Sequence, residues 1–476
     1  MSGWLAVLPE LALALTGLAI FAALMARGDA AVKARRTARV GAVVLLAACL
    51  ATLGASGDFL YHSYLVNTFS QLVKLAVALG FALSVFVTRD AAGQREDARG
   101  ETFFFLLTST AGLMLMASAV EAVALYLALE IASFSLFVLV PLRRGFAAGK
   151  EAGLKFLVVG LGASIVTLFG LSILIGLTGT TFLGPMADSL TLRLHEPAAM
   201  FGLGLFTAGF LFKLALFPFH FWAPDVYEGA SHGVAAFVAT ASKVAAVAVL
   251  ARLLSLGGFA GSALAAALAV AAAVSMTLGN LVAMVQRDVK RMLAYSAIAQ
   301  AGYIVVGLVA FSPDGLAAAL LYAVFYLLMN AAAFLVVARV SDAVANPSLD
   351  DLRGLYQRSP LLAATLLIAL FALAGVPPTA GFVGKWLLFR AAVGSGWWWL
   401  VILGAVNSTA SVYYYLVAVK HAYLLPAETP AQQRAIGLTF GDRALCYLLS
   451  AALIVLGVWP TQLLDWTQRA AATLLR

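Results

Sequence analysis

Four charged residues stand deep inside apolar stretches of the sequence: Glu130, Lys213, Lys243 and Lys385. Glu130 is about ten residues, or about 15 Å of helix, from either end of its apolar run. A charge at the bilayer centre opposes insertion by about 2.5–3.5 kcal/mol, so a set of four requires a functional explanation. Desolvation favours the neutral amine of a lysine and a nearby carboxylate favours the ammonium, so a Glu–Lys pair can bind and release a proton. These residues therefore predict a proton relay.

Other chemistries fit the same sequence poorly. A Na⁺ site needs several oxygen ligands, whereas the four buried charges comprise one carboxylate and three ammonium groups. The two cysteines, Cys49 and Cys446, are isolated, and no Cys/His spacing suits zinc or an iron–sulfur cluster. No nucleotide-binding fingerprint is present, and the basic residues lie in short loops rather than in a nucleic-acid-binding stripe. We therefore expect no metal, no cofactor and no nucleic acid on this chain.

The elements that must position these charges are membrane helices. The chain has 476 residues, of which 63% are hydrophobic and 11% charged, a composition that predicts an all-α polytopic membrane protein. About fourteen apolar runs are long enough to cross the roughly 30 Å hydrocarbon core. They lie near residues 4–26, 38–55, 68–88, 103–119, 120–141, 152–178, 198–218, 230–254, 259–286, 293–311, 315–338, 360–392, 397–424 and 443–463.

Lys and Arg concentrate in six loops, each of which follows an odd-numbered apolar run. These basic loops are residues 27–39, 89–101, 143–151, 286–291, 339–359 and 420–443, and the third contains Arg144. The loops between them, such as residues 56–67, are nearly free of Lys and Arg. The positive-inside rule therefore predicts the basic loops on the cytoplasmic side and both termini on the outer side.

An internal repeat organises the runs. A shift of about 160 residues places the run that begins at 103 on the run that begins near 263. Five helices per unit is an odd number, so the two units enter the membrane from opposite sides, as in the inverted repeats of many transporters. We expect an N-terminal three-helix segment (1–100), a first five-helix repeat (101–256), a second inverted repeat (257–424) and a C-terminal helix (425–476).

Each repeat contains one interrupted helix, with Pro218 in the first and Pro377 and Pro378 in the second. Proline frees a backbone carbonyl, which survives inside a membrane only where protein or water satisfies it. The paired breaks predict a hydrated interior path. The alternative for either break alone is a proline that only kinks a helix for packing.

Several other polar residues have two interpretations. His220 and His232 lie close to the first break and are secondary candidates for proton transfer, and His232 is equally consistent with a surface histidine at a helix start. Glu10 and Lys74 lie near the ends of their runs, where a long side chain can reach the membrane interface, so we expect them to serve in anchoring or packing.

Five motifs together resemble one family. They are "LYLALEIASFSLFVLV" around Glu130, "FHFWAPDVYEGA", the spacing of Lys213 and Lys243, "QRDVKRMLAYSAIAQAGY", and "GVPPTAGFVGKW", which contains Lys385. In this order they resemble the antiporter-like N subunits of bacterial NADH:quinone oxidoreductase, respiratory complex I, over nearly the whole chain. The resemblance implies a fourteen-helix subunit in the membrane arm, in the bacterial inner membrane with periplasmic termini, that translocates protons while quinone is reduced in other subunits.

The resemblance also implies roles and partners. Glu130 would be the carboxylate paired with Lys213, Lys243 the connecting lysine, and Lys385 the lysine of the second broken helix on the exit side. NADH, FMN, iron–sulfur clusters and quinone would belong to other subunits. The partners would be the antiporter-like M subunit, the small K, J and A type subunits, and the lipid bilayer. The chain would then be part of a proton-translocating enzyme without a redox centre of its own.

Alternatives remain open at this point. One is a homologous subunit of a membrane-bound hydrogenase or of a multi-subunit cation/proton antiporter. Others are a solute symporter, which would need a larger pocket, and a structural scaffold, in which the central charges would have no role. One stretch departs from the family pattern: the chain reads "GASHGV" over 229–234, and Ser242 stands where proline often precedes the lysine, so the resemblance does not define the break of the eighth helix.

Overall fold

The computed structural model describes residues 3–26, 29–88, 100–143, 146–256, 259, 261–341 and 346–474, which are almost entirely helical. The first part of the chain contains α1 (Leu8–Met25), α2 (Ala30–Ala51), a hairpin of β1 (Gly57–Phe59) and β2 (Tyr64–Val66), and α3 (Thr68–Val87).

The middle of the chain contains two longer series of helices. The first comprises α4 (Glu101–Ser118), α5 (Ala122–Leu139), α6 (Ala147–Thr178), α7 (Leu183–Thr191), α8 (Pro197–Leu214), α9 (Trp222–Gly229), α10 (His232–Ala239) and α11 (Ala241–Ser255). The second comprises α12 (Ala263–Ala283), α13 (Val289–Leu308), α14 (Pro313–Val340), α15 (Leu355–Arg358), α16 (Pro360–Ala374), α17 (Ala380–Gly394) and α18 (Trp398–Tyr423). The chain continues with α19 (Pro430–Gln433), α20 (Phe440–Val458) and α21 (Thr461–Leu474).

The predicted fold class, an all-α polytopic membrane protein, is confirmed. Within the described ranges, twelve stretches are long and apolar enough to cross a membrane. Two predicted spans are not among them, for identifiable reasons. The first half of α2 carries four cations in the sequence "AAVKARRTAR". The span predicted near residues 360–392 is divided by a break into two helices of 15 residues each, α16 and α17.

The loops meet at two opposite ends of the helix bundle. At one end Tyr64 of the hairpin bridges to Ala119, and we call this end the hairpin face. At the other end Asp288 bridges to Ser348, and we call this end the basic face. The helices alternate in direction between the two faces, so the start of α1 and the whole of α21 lie at the hairpin face. The predicted basic residues of 89–99 and Arg144 lie outside the described residues.

Both predicted helix breaks are present. α8 ends at Leu214, and the next residue, Ala215, caps it in a left-handed conformation with φ of 58°. α16 ends at Ala374, and Gly375 caps it in the same way with φ of 85°. A left-handed alanine is strained, whereas glycine adopts this conformation freely. The two breaks therefore use equivalent caps made from different residues.

The eighth span is interrupted as well, although it lacks the proline of the family pattern. α10 ends and α11 begins around Thr240, three residues before Lys243, and the Thr240 hydroxyl donates to Ala236 O at 2.6 Å. The departure at Gly233 has a packing explanation, because a Cβ there would lie 1.8 Å from Thr88 Oγ1 of the segment after α3. Glycine thus lets α10 approach α3 closely.

The sequence predicted one C-terminal helix within residues 425–476, and the structure has α20 there together with the four-residue α19 and a further helix, α21. α21 follows the turn at Trp459 and Pro460 and buries one face, formed by Thr467, Ala470, Ala471 and Leu474. Its end contacts α11, since Ser255 Oγ donates to Leu474 O at 3.4 Å. Because α21 is polar on its other side, its hydropathy does not resemble that of a membrane span.

Small residues set the closest helix approaches, and this generates a stability prediction. A Cβ at Gly112 of α4 would lie 2.5 Å from the backbone nitrogen of Ala132 in α5, whereas nothing lies within 4 Å of a Cβ at Gly162 of α6. We expect Gly112→Ala to destabilise the solubilised protein by about 1–3 kcal/mol through overpacking. Gly162→Ala, the matched helical control, should be neutral or slightly stabilising. Thermal unfolding followed by size exclusion compares the two, and equal midpoints would contradict the close α4–α5 contact.

Candidate functional site

Lys213 lies at the end of α8 with only 2% of the residue exposed. Its Nζ donates to the hydroxyl of Ser133 on α5 at 2.8 Å. Glu130 lies one turn earlier on α5, where its carboxylate accepts a hydrogen bond from Ser164 of α6. Ser164 in turn contacts the Tyr126 hydroxyl at 2.8 Å. Each charge is therefore held by a serine hydroxyl rather than by the opposite charge.

The structure does not bring Glu130 and Lys213 into a direct ion pair. Both Glu130 and Ser133 line a small cavity between α5, α6 and α8, which has room for about one water molecule. Glu130 is also partly exposed at the outer surface of the bundle. The carboxylate and the ammonium thus share one environment, separated by Ser133 and this cavity.

Lys243, near the start of α11, is 1% exposed and is held by the first break. Its Nζ donates to Leu214 O, the last carbonyl of α8, at 3.0 Å and to Ala297 O of α13 at 3.0 Å. The ring of Tyr326 lies under the ammonium at 5.7 Å. The negative end of the α8 dipole and a π face therefore stabilise this cation without a carboxylate.

Lys385 on α17 has an equivalent arrangement at the second break. Its Nζ donates to Leu373 O and Ala374 O, the last carbonyls of α16, at 3.0 Å each. A third bond goes to Ser408 Oγ of α18 at 2.9 Å, and the Tyr303 ring lies 4.5 Å away. The breaks predicted from Pro218 and from Pro377 and Pro378 thus supply acceptors for two of the predicted lysines.

A polar row on α13 lies between Lys243 and Lys385. Gln300, one turn after Ala297, donates to Leu373 O at 2.8 Å, so it shares an acceptor with Lys385. Tyr322 donates to Gln300 Oε1 at 2.6 Å, and Ser296 contacts the Tyr415 hydroxyl at 2.5 Å. Helix α13 thus contacts the sites of both lysines: Ala297 O accepts from Lys243, and Gln300 binds Leu373 O, which also accepts from Lys385.

Reasoning from the sequence did not select this row. A signal was present, because Ser296, Gln300 and Tyr303 recur at intervals of four and three and therefore share one face of α13. Ser133 and Ser164 had no comparable signal, since isolated serines are common in these helices.

The two histidines are less closely connected to the lysines. His220 lies in the first break between the rings of Phe217 and Phe221, at centroid distances of 5.7 and 4.2 Å. Its Nδ1 makes no hydrogen bond to the described residues. His232 is the first residue of α10 at the basic face. Neither histidine is hydrogen-bonded to Lys213, Lys243 or Lys385 within the described chain.

The second half of the first broken helix, α9, is fixed at the basic face by cations. Arg291 of α13 pairs with Asp225 at 2.8 Å and with Glu228 at 2.6 Å. Arg143 and Lys290 both donate to Ala230 O just beyond the end of α9, at 3.2 and 2.6 Å. These contacts anchor α9, so the break is held firmly on its basic side.

Of the two roles expected for Lys74, anchoring at the membrane interface and packing, the structure is consistent with packing alone. The Lys74 side chain is fully buried, with an exposure of 0%, and Nζ lies 2.6 Å from Glu10 Oε1. Lys74 cannot reach the interface because α1, α2 and the hairpin cover it. Among the described residues, no group of three or more His, Cys, Asp or Glu side chains is placed to hold a metal ion.

Known proteins define the class of membrane protein to which this geometry corresponds. Residues 119–411 match the family described as NADH:quinone oxidoreductase/Mrp antiporter, transmembrane. That match spans the breaks and all four buried charges. The fold itself recurs in a chain of the Mrp complex from a Dietzia species, with a TM-score of 0.87 at 21% identity over 100% of this chain and 98% of that one.

Closer relatives identify the branch of this class. Subunit N 2 of the NADH-quinone oxidoreductase of Syntrophobacter fumaroxidans is 42% identical over 99% of this chain and all of its own length. The same subunit of Solidesulfovibrio magneticus is 46% identical over 90% of each chain. A chain of respiratory complex I from Thermus thermophilus, solved with bound aureothin, has a TM-score of 0.84 at 34% identity, covering 96% of this chain and 98% of that one. The chain belongs to the family of NADH-quinone oxidoreductase subunit N.

The cap of the second break generates a prediction about Lys385. A Cβ at Gly375 would lie 3.0 Å from Lys385 Cδ, whereas Gly396, which has nearly the same φ of 84°, has nothing within 4 Å. We expect Gly375→Ala and Gly396→Ala to share a strain of about 1–2 kcal/mol from the left-handed backbone. Gly375→Ala should lower the unfolding midpoint further, because Lys385 must move away from the α16 carbonyls. Equal losses in the two variants would contradict this contact.

Proposed function

We propose that this chain translocates protons along a row of buried lysines, as the antiporter-like subunit N of a membrane-bound NADH:quinone oxidoreductase. The observation that carries the proposal is the position of Lys243 and Lys385, each held by the last carbonyls of a broken helix. A neutral acceptor holds an ammonium but does not require one, so each lysine can cycle between its two protonation states.

The proposed row of buried lysines, called the lysine row below, begins at Lys213, next to Glu130. Lys213 donates to Ser133 Oγ, and Ser133 and Glu130 line the same small cavity. When the Glu130 carboxylate is charged it favours the ammonium of Lys213, and when it is protonated or displaced it favours release of the proton. Glu130 therefore acts as the tuning group and Lys213 as the first proton carrier.

Transfer from Lys213 to Lys385 follows the polar row. Leu214 O, next to Lys213 in the chain, already binds Lys243, so the end of α8 connects the two lysines. Lys243 then contacts α13, whose Gln300 shares Leu373 O with Lys385. Lys213 belongs to the entry half and Lys385 to the exit half, and the two five-helix units at 101–256 and 257–424 supply one break each.

The names of the relatives support a place in a larger complex. Subunit N of Syntrophobacter fumaroxidans and the chain of Thermus thermophilus both come from NADH-quinone oxidoreductases. We assign this chain to the membrane arm of such a complex, beside the antiporter-like M subunit and the small K, J and A type subunits. NADH, FMN, the iron–sulfur clusters and quinone are then bound by other subunits, and quinone reduction there supplies the energy.

Two variants test the relay. Lys213→Met keeps the side-chain length and removes the charge, and Glu130→Gln removes the tuning charge. We expect proton pumping by the reconstituted complex to fall by about 10²-fold or more in Lys213→Met, the usual contribution of a positioned proton-transfer group. Electron transfer to artificial acceptors upstream of quinone should be unchanged. The measurement is proton uptake into proteoliposomes that contain the tagged, purified complex.

The control for these variants is Lys420→Met, which removes an exposed lysine at the end of α18. An assembled Lys213→Met complex that pumps like the parent would overturn the relay and favour a purely structural subunit. Mass spectrometry of the purified complex checks the assignment at the same time. Co-purification with hydrogenase or antiporter subunits instead of NADH-oxidising ones would favour a membrane-bound hydrogenase or a multi-subunit antiporter.

The same proposal places the hairpin face in the periplasm of a bacterial inner membrane. The supporting observation is that the described basic loops gather at the opposite face. Cys49 and Cys446 are fully buried, so introduced cysteines are the reactive ones. We expect an impermeant maleimide added to intact spheroplasts to label Tyr61→Cys, at a hairpin tip that is 96% exposed, and not Glu428→Cys at the basic face. The reverse pattern would invert the topology.

A further inference from the structure

A second buried acid–base pair lies outside the lysine row, where α1, α3 and the hairpin meet. Lys74 Nζ lies 2.6 Å from Glu10 Oε1, and the Tyr64 hydroxyl donates to the same oxygen at 2.5 Å. The Tyr64 ring lies 5.1 Å from the ammonium. Lys74 is fully buried, whereas 23% of the Glu10 side chain is exposed near the hairpin face. The Glu10 carboxylate therefore lies between the buried amine of Lys74 and the exposed surface near the hairpin face.

The charges around this pair do not balance. Arg252 of α11 is an electrostatic neighbour of both Lys74 and Tyr64, and it is held by Ala117 O and Ala119 O at 2.7 Å each. Among the described residues, the remaining titratable group that faces the pair is the buried thiol of Cys49 on α2. One carboxylate thus faces two cations. Since arginine cannot release its proton, neutral Lys74 is the form that balances the charge.

The site also has unused hydrogen-bonding capacity. Lys74 Nζ makes no hydrogen bond beyond its ion pair, and Glu10 Oε2, Gln71 Oε1 and Ser118 Oγ have no hydrogen-bond partner among the described residues. Gln71 lies three residues before Lys74 on α3, and Ser118 lies beside the Tyr64 hydroxyl. Buried polar groups in native proteins are almost always satisfied, and water is the usual partner when protein is not. These groups therefore favour a hydrated pocket.

The position of Lys74 between the basic face and the hairpin face can be compared with that of Lys243. Gly80 of α3 touches Ala241 of α11, since a Cβ on Gly80 would lie 2.7 Å from the Ala241 side chain. Lys74 lies six residues, about 9 Å, from this contact toward the hairpin face, and Lys243 lies two residues, about 3 Å, in the same direction. Lys74 is therefore about 6 Å closer than Lys243 to the hairpin face.

We infer that Lys74 and Glu10 form a second proton-exchange site, which releases protons to the hairpin face. In the step, the Lys74 ammonium gives its proton to the Glu10 carboxylate, which leaves a neutral amine and a carboxylic acid. The acid then loses that proton to the medium through its exposed side, and uptake is the reverse. The inference rests on the proposed proton transport and adds an exchange site in the N-terminal three-helix segment.

Two substitutions separate proton exchange from a structural ion pair. Lys74→Arg keeps the charge and the pairing with Glu10 but cannot cycle a proton. The double variant Lys74→Met with Glu10→Gln removes both charges together, so no unpaired charge stays buried. An ion pair that serves only packing tolerates at least one of these changes. A proton-exchange site tolerates neither, and we expect both complexes to pump at least about ten-fold less than the parent, with Lys420→Arg as the control.

Tyr64→Phe provides an independent measurement that removes a single hydroxyl. Without this donor the Glu10 carboxylate is less stabilised, so release requires a more alkaline medium. We expect the profile of pumping against pH at the hairpin face to shift upward by about one unit, since a hydrogen bond to a charged group contributes about 1.5–3 kcal/mol. An unshifted profile, or parental pumping in either charge variant, would overturn the inference.

The comparison with Lys213→Met keeps the two proposals apart. If Lys213→Met abolishes pumping while the Lys74 variants pump normally, the result supports the lysine row and contradicts the second site. If Lys213→Met also pumps normally, the proposed function itself fails. If both Lys74 variants fail to assemble, the pH profile of Tyr64→Phe decides alone.

Discussion

Inside a hydrocarbon layer every freed carbonyl and every ammonium must find its partner within the protein, and this constraint shapes the whole bundle. A broken helix leaves carbonyls without amide donors, and a buried lysine brings donors without acceptors. Here the free carbonyls accept hydrogen bonds from the buried ammonium groups, so each satisfies the other. The end of α8 accepts from Lys243, and the end of α16 accepts from Lys385. Two features that would each destabilise the membrane domain are stable only in combination.

The kind of partner differs with position in the bundle. In the interior, Lys243 and Lys385 contact carbonyls, a hydroxyl and aromatic rings, all of which are neutral. Carboxylates lie further out, where Glu130 and Glu10 are both partly exposed. A neutral surrounding does not trap a lysine in its charged form, whereas a fixed carboxylate would. In the proposed proton transport, the two acids thus lie where they can control or exchange protons.

The features that the sequence revealed are those with a high cost in a membrane. The buried charges, the prolines of the two breaks and the basic loops all contradict an apolar environment, so they are visible without a structure. The contacts that make a site from them are not. Ser133 and Gln300 are ordinary residues until α8 and α16 are placed against them. Lys74 was left with two interpretations for a related reason, because its distance from the end of an apolar run gives its depth but not which residues cover it.

The partners of the buried lysines also have an order along the chain. Lys74 pairs with Glu10, Lys213 with Ser133, Lys243 with Leu214, and Lys385 with Leu373. In each of these four pairs the acceptor precedes the lysine, so the ribosome delivers it first. The further acceptors of Lys243 and Lys385, Ala297 O and Ser408 Oγ, are delivered later. Each costly ammonium can meet a waiting partner as soon as its helix leaves the insertion machinery. Each of these four lysines thus has one acceptor already synthesised when its own helix enters the membrane.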